Sequence, residues 1–244
     1  MGSDTPTTTN DTSPSAETSA QLRAYGGEGG DARIARRRAA LIDAGLDLLG
    51  AADPTPVTVR GVCRRAELTA RYFYESFESV DDLVAVVYDE VINEIAEAAL
   101  DGFDRGEDVT DKVKGAVAAM VDIIDGDRRK GRLLFSEFLL SPVIATKRAE
   151  SSTLFAGLTL QSASGVIELD GELGAGAAIA VAHYQVGGLT RLFAAWVEGS
   201  VAMSRDEIVE LSVRLLLAPA DIFGAGELIT GGPSASGGRT GVEG

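Results

Sequence analysis

The chain is poor in the residues from which several classes of site are built. It has one cysteine, Cys63, and one histidine, His183, among 244 residues. A lone cysteine excludes an internal disulfide and a cysteine-based metal site within one chain. We expect Cys63 to be a small buried apolar residue, and the chain to suit a reducing cytoplasm.

Basic residues are also scarce. There are 22 Lys and Arg against 37 Asp and Glu, for a net charge of −15. This balance argues against nucleic acid, because phosphate binding rests on Lys and Arg. Residues 31–80, however, hold eight arginines against seven acidic residues, so the excess of acid lies elsewhere. Such a segment permits local contact with phosphates while the acidic body repels them.

Long apolar runs are missing as well. Residues 1–30 are rich in Thr, Ser, Asp and Gly and contain no signal-peptide core, and residues 223–244 have a similar composition. We expect both to be disordered tails. The charge-free stretch 173–190 is rich in Gly and Ala and has His183, Tyr184 and Gln185 in its middle. This favours a buried helix in a bundle or subunit interface over a membrane span.

The apolar residues recur at steps of three and four, and tracts of alternating Val, Ile and Thr are missing, so we predict an all-α fold. The first helix has an apolar face of Ile34, Leu41, Ile42, Gly45, Leu48 and Leu49. Capping-box spacings at Ser79/Asp82 and Ser204/Glu207 open two later helices. After the first, we expect helices at 58–66, 69–77, from 79, and near 110–125, 128–140, 143–168, 177–198 and 205–218.

The stretch "TVRGVCRRAELTARYFYESF", from Thr58 to Phe77, is the most informative. In its first half we expect Val59, Val62, Cys63 and Ala66 to face inward, with Leu68 filling the turn. Phe73 and Phe77 are four residues apart and share one face of the second half. Tyr72 and Tyr74 flank Phe73 and cannot share its direction. This division is typical of a helix-turn-helix, whose second helix enters the DNA major groove.

Residues 34–90, with "ALIDAGLDLL" and "TVRGVCRRAELTARYFYESFESVDDLV", resemble the tetracycline-repressor-like (TetR) family of bacterial transcriptional regulators. The resemblance implies a three-helix DNA-binding domain at 31–78. It also implies a larger helical domain at 79–222 that dimerises and binds a small effector.

The resemblance also implies residue roles. Thr58, Thr69 and Tyr74 match positions that hold phosphate. Ala70, Arg71 and Tyr72 occupy the base-facing start of the recognition helix, with Arg71 as the reader of guanine. A merely solvated side chain remains the alternative for Arg71 and for Tyr72.

Two positions depart from the family pattern. Glu67 replaces the usual turn glycine, which implies either a strained left-handed turn, at a cost of about 1 kcal/mol, or a different turn. Val80 replaces a lysine that often contacts phosphate. Arg36, Arg37 and Arg38 could compensate for that lysine, or they could be a solvated charge run.

The larger domain should contain an apolar effector pocket between its helices. For each candidate side chain, core packing without a ligand is the alternative. His183 has no recognisable catalytic partner, so a buried, hydrogen-bonded role is preferred. The candidates are Met120, Ile124, Phe135, Phe138, Leu139, Phe155, Leu158 and His183.

Together these patterns favour a cytoplasmic, homodimeric repressor, without catalytic residues, metal or cofactor. A small, hydrophobic effector would release it from a palindromic operator. Helices near 177–198 and 205–218 would form the dimer interface, with Leu189, Leu192, Phe193 and Trp196 on the first and Leu211, Leu215 and Leu216 on the second. The alternative is a helical ligand-binding or enzymatic protein that keeps the helix-turn-helix only as scaffold.

Overall fold

A computed structural model describes residues 16–53, 55–136, 141–164 and 174–218, and the side chains of 29–53, 55–136, 141–162 and 176–218. Within these ranges the chain forms nine helices and no strand, which confirms the predicted all-α class. The helices are α1 (Ala16–Leu49), α2 (Val59–Arg65), α3 (Ala70–Tyr74), α4 (Val80–Asp104), α5 (Val109–Gly126), α6 (Arg128–Phe135), α7 (Pro142–Ser164), α8 (Gly174–Val197) and α9 (Arg205–Leu217).

Helices α1 to α3 form a small bundle whose core is the one expected from the sequence. Phe73 is 0% and Phe77 3% exposed, and their ring centroids lie 5.7 Å apart. Val62 and Cys63 of α2 are buried against them. Burial raises the pKa of the Cys63 thiol, which suits the expected structural role of this residue.

Side-chain caps set several helix starts. Ser79 Oγ accepts from Asp82 N at 3.1 Å and begins α4. Ser204 and Glu207 form the complete capping box predicted for α9. Thr69 occupies the N-cap of α3 but makes no side-chain capping bond, and α3 ends at Tyr74, three residues earlier than expected.

Helix α1 differs from its prediction. It begins at Ala16, within the stretch 1–30 that we expect to be a disordered tail. Gly29 and Gly30 have no neighbouring atoms within 4 Å of an added Cβ, so this part of the helix lacks tertiary packing there. Ile34, expected to face inward, is 48% exposed, and Leu41 is the first residue of α1 with a buried side chain among those described. The predicted tails at 1–15 and 223–244 lie outside the described residues.

The larger domain is built around α4, which packs on α5, α6 and α7, while α8 packs on α6, α7 and α9. Helices α4 and α5 cross in backbone contact, since a Cβ on Gly102 would lie 2.7 Å from the carbonyl carbon of Gly115. None of the helices in the described ranges combines the length and apolar content needed to cross a bilayer. The charge-free stretch, expected to form a buried helix in a bundle or subunit interface, has one face that is exposed in the single subunit.

Candidate DNA interface and effector cavity

The start of α3 presents polar groups to solvent, as the sequence predicts. Arg71 has an 84% exposed side chain, and its Nε donates to Glu75 Oε1 at 3.1 Å. An exposed pair of this kind is worth about 0.3–0.5 kcal/mol, whereas a bidentate contact with guanine contributes about 1–3 kcal/mol. The ion pair therefore does not prevent Arg71 from reading a base.

The hydroxyl groups predicted to hold phosphate are accessible. Thr58 Oγ1 accepts from Gly61 N at 3.1 Å as the N-cap of α2, which leaves its hydrogen free to donate. Thr69 is exposed and Tyr74 is 62% exposed, its ring standing edge-on against Phe73. Ala70 is exposed beside them. All four are placed where a phosphate or a base edge could approach.

Tyr72 is half-buried, and the Arg37 guanidinium covers its ring at 4.3 Å from the centroid. Arg37 also pairs with Glu75 at 3.7 Å, and Arg38 lies over the Phe77 ring at 5.0 Å. Cation–π contacts of this kind contribute about 0.5–1 kcal/mol at exposed sites. Arg37 therefore holds α3 against α1, and Arg38 ties α1 to Phe77 and to Glu90 of α4, roles that were not predicted. Arg36 is exposed.

The turn between α2 and α3 is the strained left-handed turn, the first of the two alternatives expected for Glu67. Glu67 has φ of +56°, the only left-handed residue other than glycine in the described ranges. A side chain in this conformation costs about 1–2 kcal/mol. Leu68 N still reaches Cys63 O at 2.9 Å, so the turn keeps its backbone bonds.

A cavity of about 570 Å³ lies in the larger domain between α4, α5, α6, α7, α8 and α9. Five of the eight predicted effector residues line it, namely Met120, Ile124, Phe135, Phe155 and Leu158. Phe138 and Leu139 lie outside the described residues. His183 is exposed and does not line the cavity, so its expected burial is wrong, because the neighbouring Ala182 takes the inward position on α8.

The polar lining of the cavity was missed by sequence reasoning. Tyr88 is 2% exposed and its hydroxyl lies 3.1 Å from Ser151 Oγ. Burial raises the pKa of the Tyr88 phenol, so this group is neutral. No Asp, Glu, Lys or His among the described residues lines the cavity, and the charged lining residues are Arg148 and Arg191. Such a lining suits a largely apolar ligand.

Helix α6 connects the cavity to the bundle of α1 to α3. At its end, Arg148 donates to Leu134 O at 2.9 Å and to Ser136 O at 2.7 Å. At its start, Arg129 Nη1 lies 2.5 Å from Asp47 and 3.0 Å from Asp43 of α1. Each end of α6 is therefore fixed by an arginine, one lining the cavity and one bound to α1.

Asp47 extends this connection to the helix-turn-helix, since Arg65 of α2 also binds it at 2.5 Å. Partial burial raises the pKa of Asp47, but hydrogen bonds from Arg129 and Arg65 outweigh that effect and hold the pKa below its ordinary value. The hydrogen bond from Arg129 likewise lowers the pKa of Asp127. Arg65 and Arg129 lie 18 and 82 residues from Asp47, and a single sequence offers no signal that pairs them.

Comparison with solved structures identifies the architecture. The fatty acid degradation regulator FadR from Bacillus halodurans superposes with a TM-score of 0.63 at 16% identity, covering 74% of this chain and 94% of that one. FadR from Bacillus subtilis, solved in complex with stearoyl-CoA, gives 0.59 at 14% identity, covering 73% and 97%. The chain has the TetR-family fold. A TetR-family transcription regulator from Marinobacter aquaeolei gives 0.56 at 16% identity, covering 77% and 97%.

No protein-family model matches the sequence, and no curated protein matches it either. The resemblance drawn from residues 34–90 is thus confirmed at the level of the fold. Within the TetR fold, α2 and α3 are the helix-turn-helix, and Glu67 and Val80 are the two departures noted from the sequence. Val80 is the first residue of α4 and half-buried, so it adds no charge there.

Proposed function

We propose that this protein is a DNA-binding transcriptional regulator, a homodimeric repressor that a small hydrophobic effector releases from a palindromic operator. The observation that carries the proposal is the helix-turn-helix of α2 and α3. It is anchored by buried Phe73 and Phe77 and exposes Thr58, Thr69 and Arg71. The fold shared with transcriptional regulators supports the same assignment.

The hydrophobic effector is supported by the cavity. Its volume of about 570 Å³ lies within the range of small-molecule sites, about 300–1,000 Å³. The stearoyl-CoA complex of the Bacillus subtilis FadR shows that a protein of this fold holds a ligand with a long acyl chain. An acyl chain would match the aromatic and aliphatic lining formed by Phe135, Phe155 and Leu158.

A second copy of the chain is the proposed partner of α8 and α9. Ile179 is 48%, Tyr184 77% and Leu215 50% exposed, and Gly187 and Gly188 have open space beside them. Phe193 and Trp196, which were expected to serve this interface, are instead buried within their own subunit. Exposed small and apolar residues on two adjacent helices suit a four-helix dimer interface, which would place two recognition helices about one DNA turn apart.

Effector release follows from the connection through α6. A ligand in the cavity that favours another position of Arg148 would displace α6, and the bonds of Arg129 would pass that displacement to α1. For DNA affinity to fall, the effector must bind the released arrangement more tightly than the DNA-bound one. Saturated acyl-CoA esters are a suitable first probe.

The test is a gel shift with the promoter beside the protein's own gene, at several salt concentrations, against a shuffled duplex of equal length. We expect salt-sensitive binding that prefers the promoter. Retention of neither duplex at low salt would favour the alternative, a ligand-binding or enzymatic protein that keeps the helix-turn-helix as scaffold. We expect the regulator to act in the cytoplasm, where its DNA lies.

A further inference from the structure

Some lysine and arginine side chains of this acidic protein are paired with another group of the chain, and others are unpaired. In the larger domain the described lysines and arginines are engaged by carboxylates, carbonyl oxygens or aromatic rings, with Lys114 as the exception. Examples are Lys130 with Glu94, Lys147 with Asp89 and Arg205 with Asp122. These cations are internally neutralised and offer little to a phosphate.

The proposed DNA-binding domain contains more unpaired cations than the larger domain. Four of its arginines are exposed, and their guanidinium groups make no hydrogen bond, ion pair or ring contact within the described ranges, namely Arg33, Arg36, Arg60 and Arg64. The other four are engaged, Arg37 and Arg38 with α3 and α4, Arg65 with Asp47, and Arg71 with Glu75. The unpaired cations of the described chain are thus concentrated on α1 and α2.

Arg33 shares one side of α1 with Arg37, which contacts the recognition helix. Arg33 precedes Arg37 by four residues on α1, so it projects from the same side about 6 Å farther along the helix. Arg37 itself contacts Tyr72 of α3. Arg60 and Arg64 are also four apart, on the side of α2 away from buried Val62 and Cys63. Arg60 lies in the first turn of α2, two residues after Thr58.

We propose that Arg33, Arg36, Arg60 and Arg64 are the phosphate-contacting cations of the DNA interface and supply most of its electrostatic affinity. Desolvating a free guanidinium requires no ion pair to be broken first, so these four groups can bind phosphate at the lowest cost. The four arginines also offset the absence of a cation at Val80. The inference rests on the proposed function, and it adds residues to which the family pattern assigned no phosphate contact here.

The experiment measures the affinity of the full chain for a duplex between 50 and 200 mM salt. The variants are Arg33→Ala/Arg36→Ala and Arg60→Ala/Arg64→Ala, with Lys114→Ala as the matched control, because Lys114 is exposed and unpaired but lies on α5. Each lost contact lowers the slope of log affinity against log salt by about 0.9, and a dimer carries each pair twice. We expect each double variant to lose between about 2 and 4 from that slope, with Lys114→Ala unchanged.

Lysine replacements at the same positions keep the charge and should retain most of the slope, which separates a phosphate contact from a folding defect. A double alanine variant with the wild-type slope would remove that pair from the interface. An equal loss in Lys114→Ala would show a general effect of net charge and overturn the proposal. Wild-type protein without salt-sensitive DNA binding would overturn the proposed function itself, whereas wild-type binding with unchanged variants overturns this inference alone.

Discussion

Replacing Gly50 by alanine should loosen the junction between the bundle of α1 to α3 and helix α6. Gly50 is buried at the end of α1, where a Cβ would lie 2.6 Å from Arg129 Cα. The obstacle is the backbone of α6 and not the end of a flexible side chain, so the helices must separate. Separation would also stretch the bond from Arg132 Nε to Gly50 O, now 3.0 Å, and the pair of Arg129 with Asp47.

The expected cost of Gly50→Ala is about 1–3 kcal/mol in the free energy of unfolding, the usual range for overpacking. Gly157→Ala is the matched control. Gly157 is exposed within α7, with no atom within 4 Å of its added Cβ, and alanine should stabilise the helix there by about 0.5–1 kcal/mol. Urea denaturation of both variants measures the difference. If Gly50→Ala were as stable as Gly157→Ala, the close contact between α1 and α6 would be refuted, and with it the route proposed for effector release.

Three further outcomes follow from the same geometry. Asp47→Asn should lose less stability in acid than the wild type, because the lowered pKa of Asp47 stabilises the fold above about pH 4 and that stabilisation disappears as the pH falls further. Parallel urea titrations at pH 7 and pH 3 would measure the loss, and equal losses in the two proteins would contradict the prediction. Glu67→Gly should raise the thermal midpoint by relieving the positive φ at a gain of up to about 1 kcal/mol, and a lower midpoint would show that the turn needs the Glu67 side chain. Arg71→Ala should relax base preference, whereas Tyr74→Phe should weaken binding to all duplexes alike. Competition with mutated operators would measure this, and an equal loss of preference in the two variants would refute the division of roles.

Much of the helical plan could be predicted from local chemistry. The caps at Ser79 and Ser204 and the inward pair Phe73 and Phe77 depend on neighbours within four residues, so one sequence contains all the information they need. The helix-turn-helix and its exposed Arg71 could be predicted for the same reason.

What could not be predicted depends on contacts between distant residues. Asp47 binds Arg65 and Arg129, which lie 18 and 82 residues away, and Tyr88 meets Ser151 63 residues away. Gly and Ala occur on every side of α8, so its sequence does not distinguish a buried face from an exposed one. The burial of Ala182 and the exposure of His183 therefore could not be predicted. The early start of α1 at Ala16 was missed because that segment has no apolar period.

We propose that the protein reads DNA as a dimer through α3. The most direct measurement is selection from a random duplex library with the purified full chain, followed by sequencing of the retained DNA. We predict enrichment of a palindrome whose half-sites are centred about one helical turn apart, and loss of the preferred base in each half-site when the selection is repeated with Arg71→Ala. Retention of no preferred sequence by the wild-type protein would contradict the account.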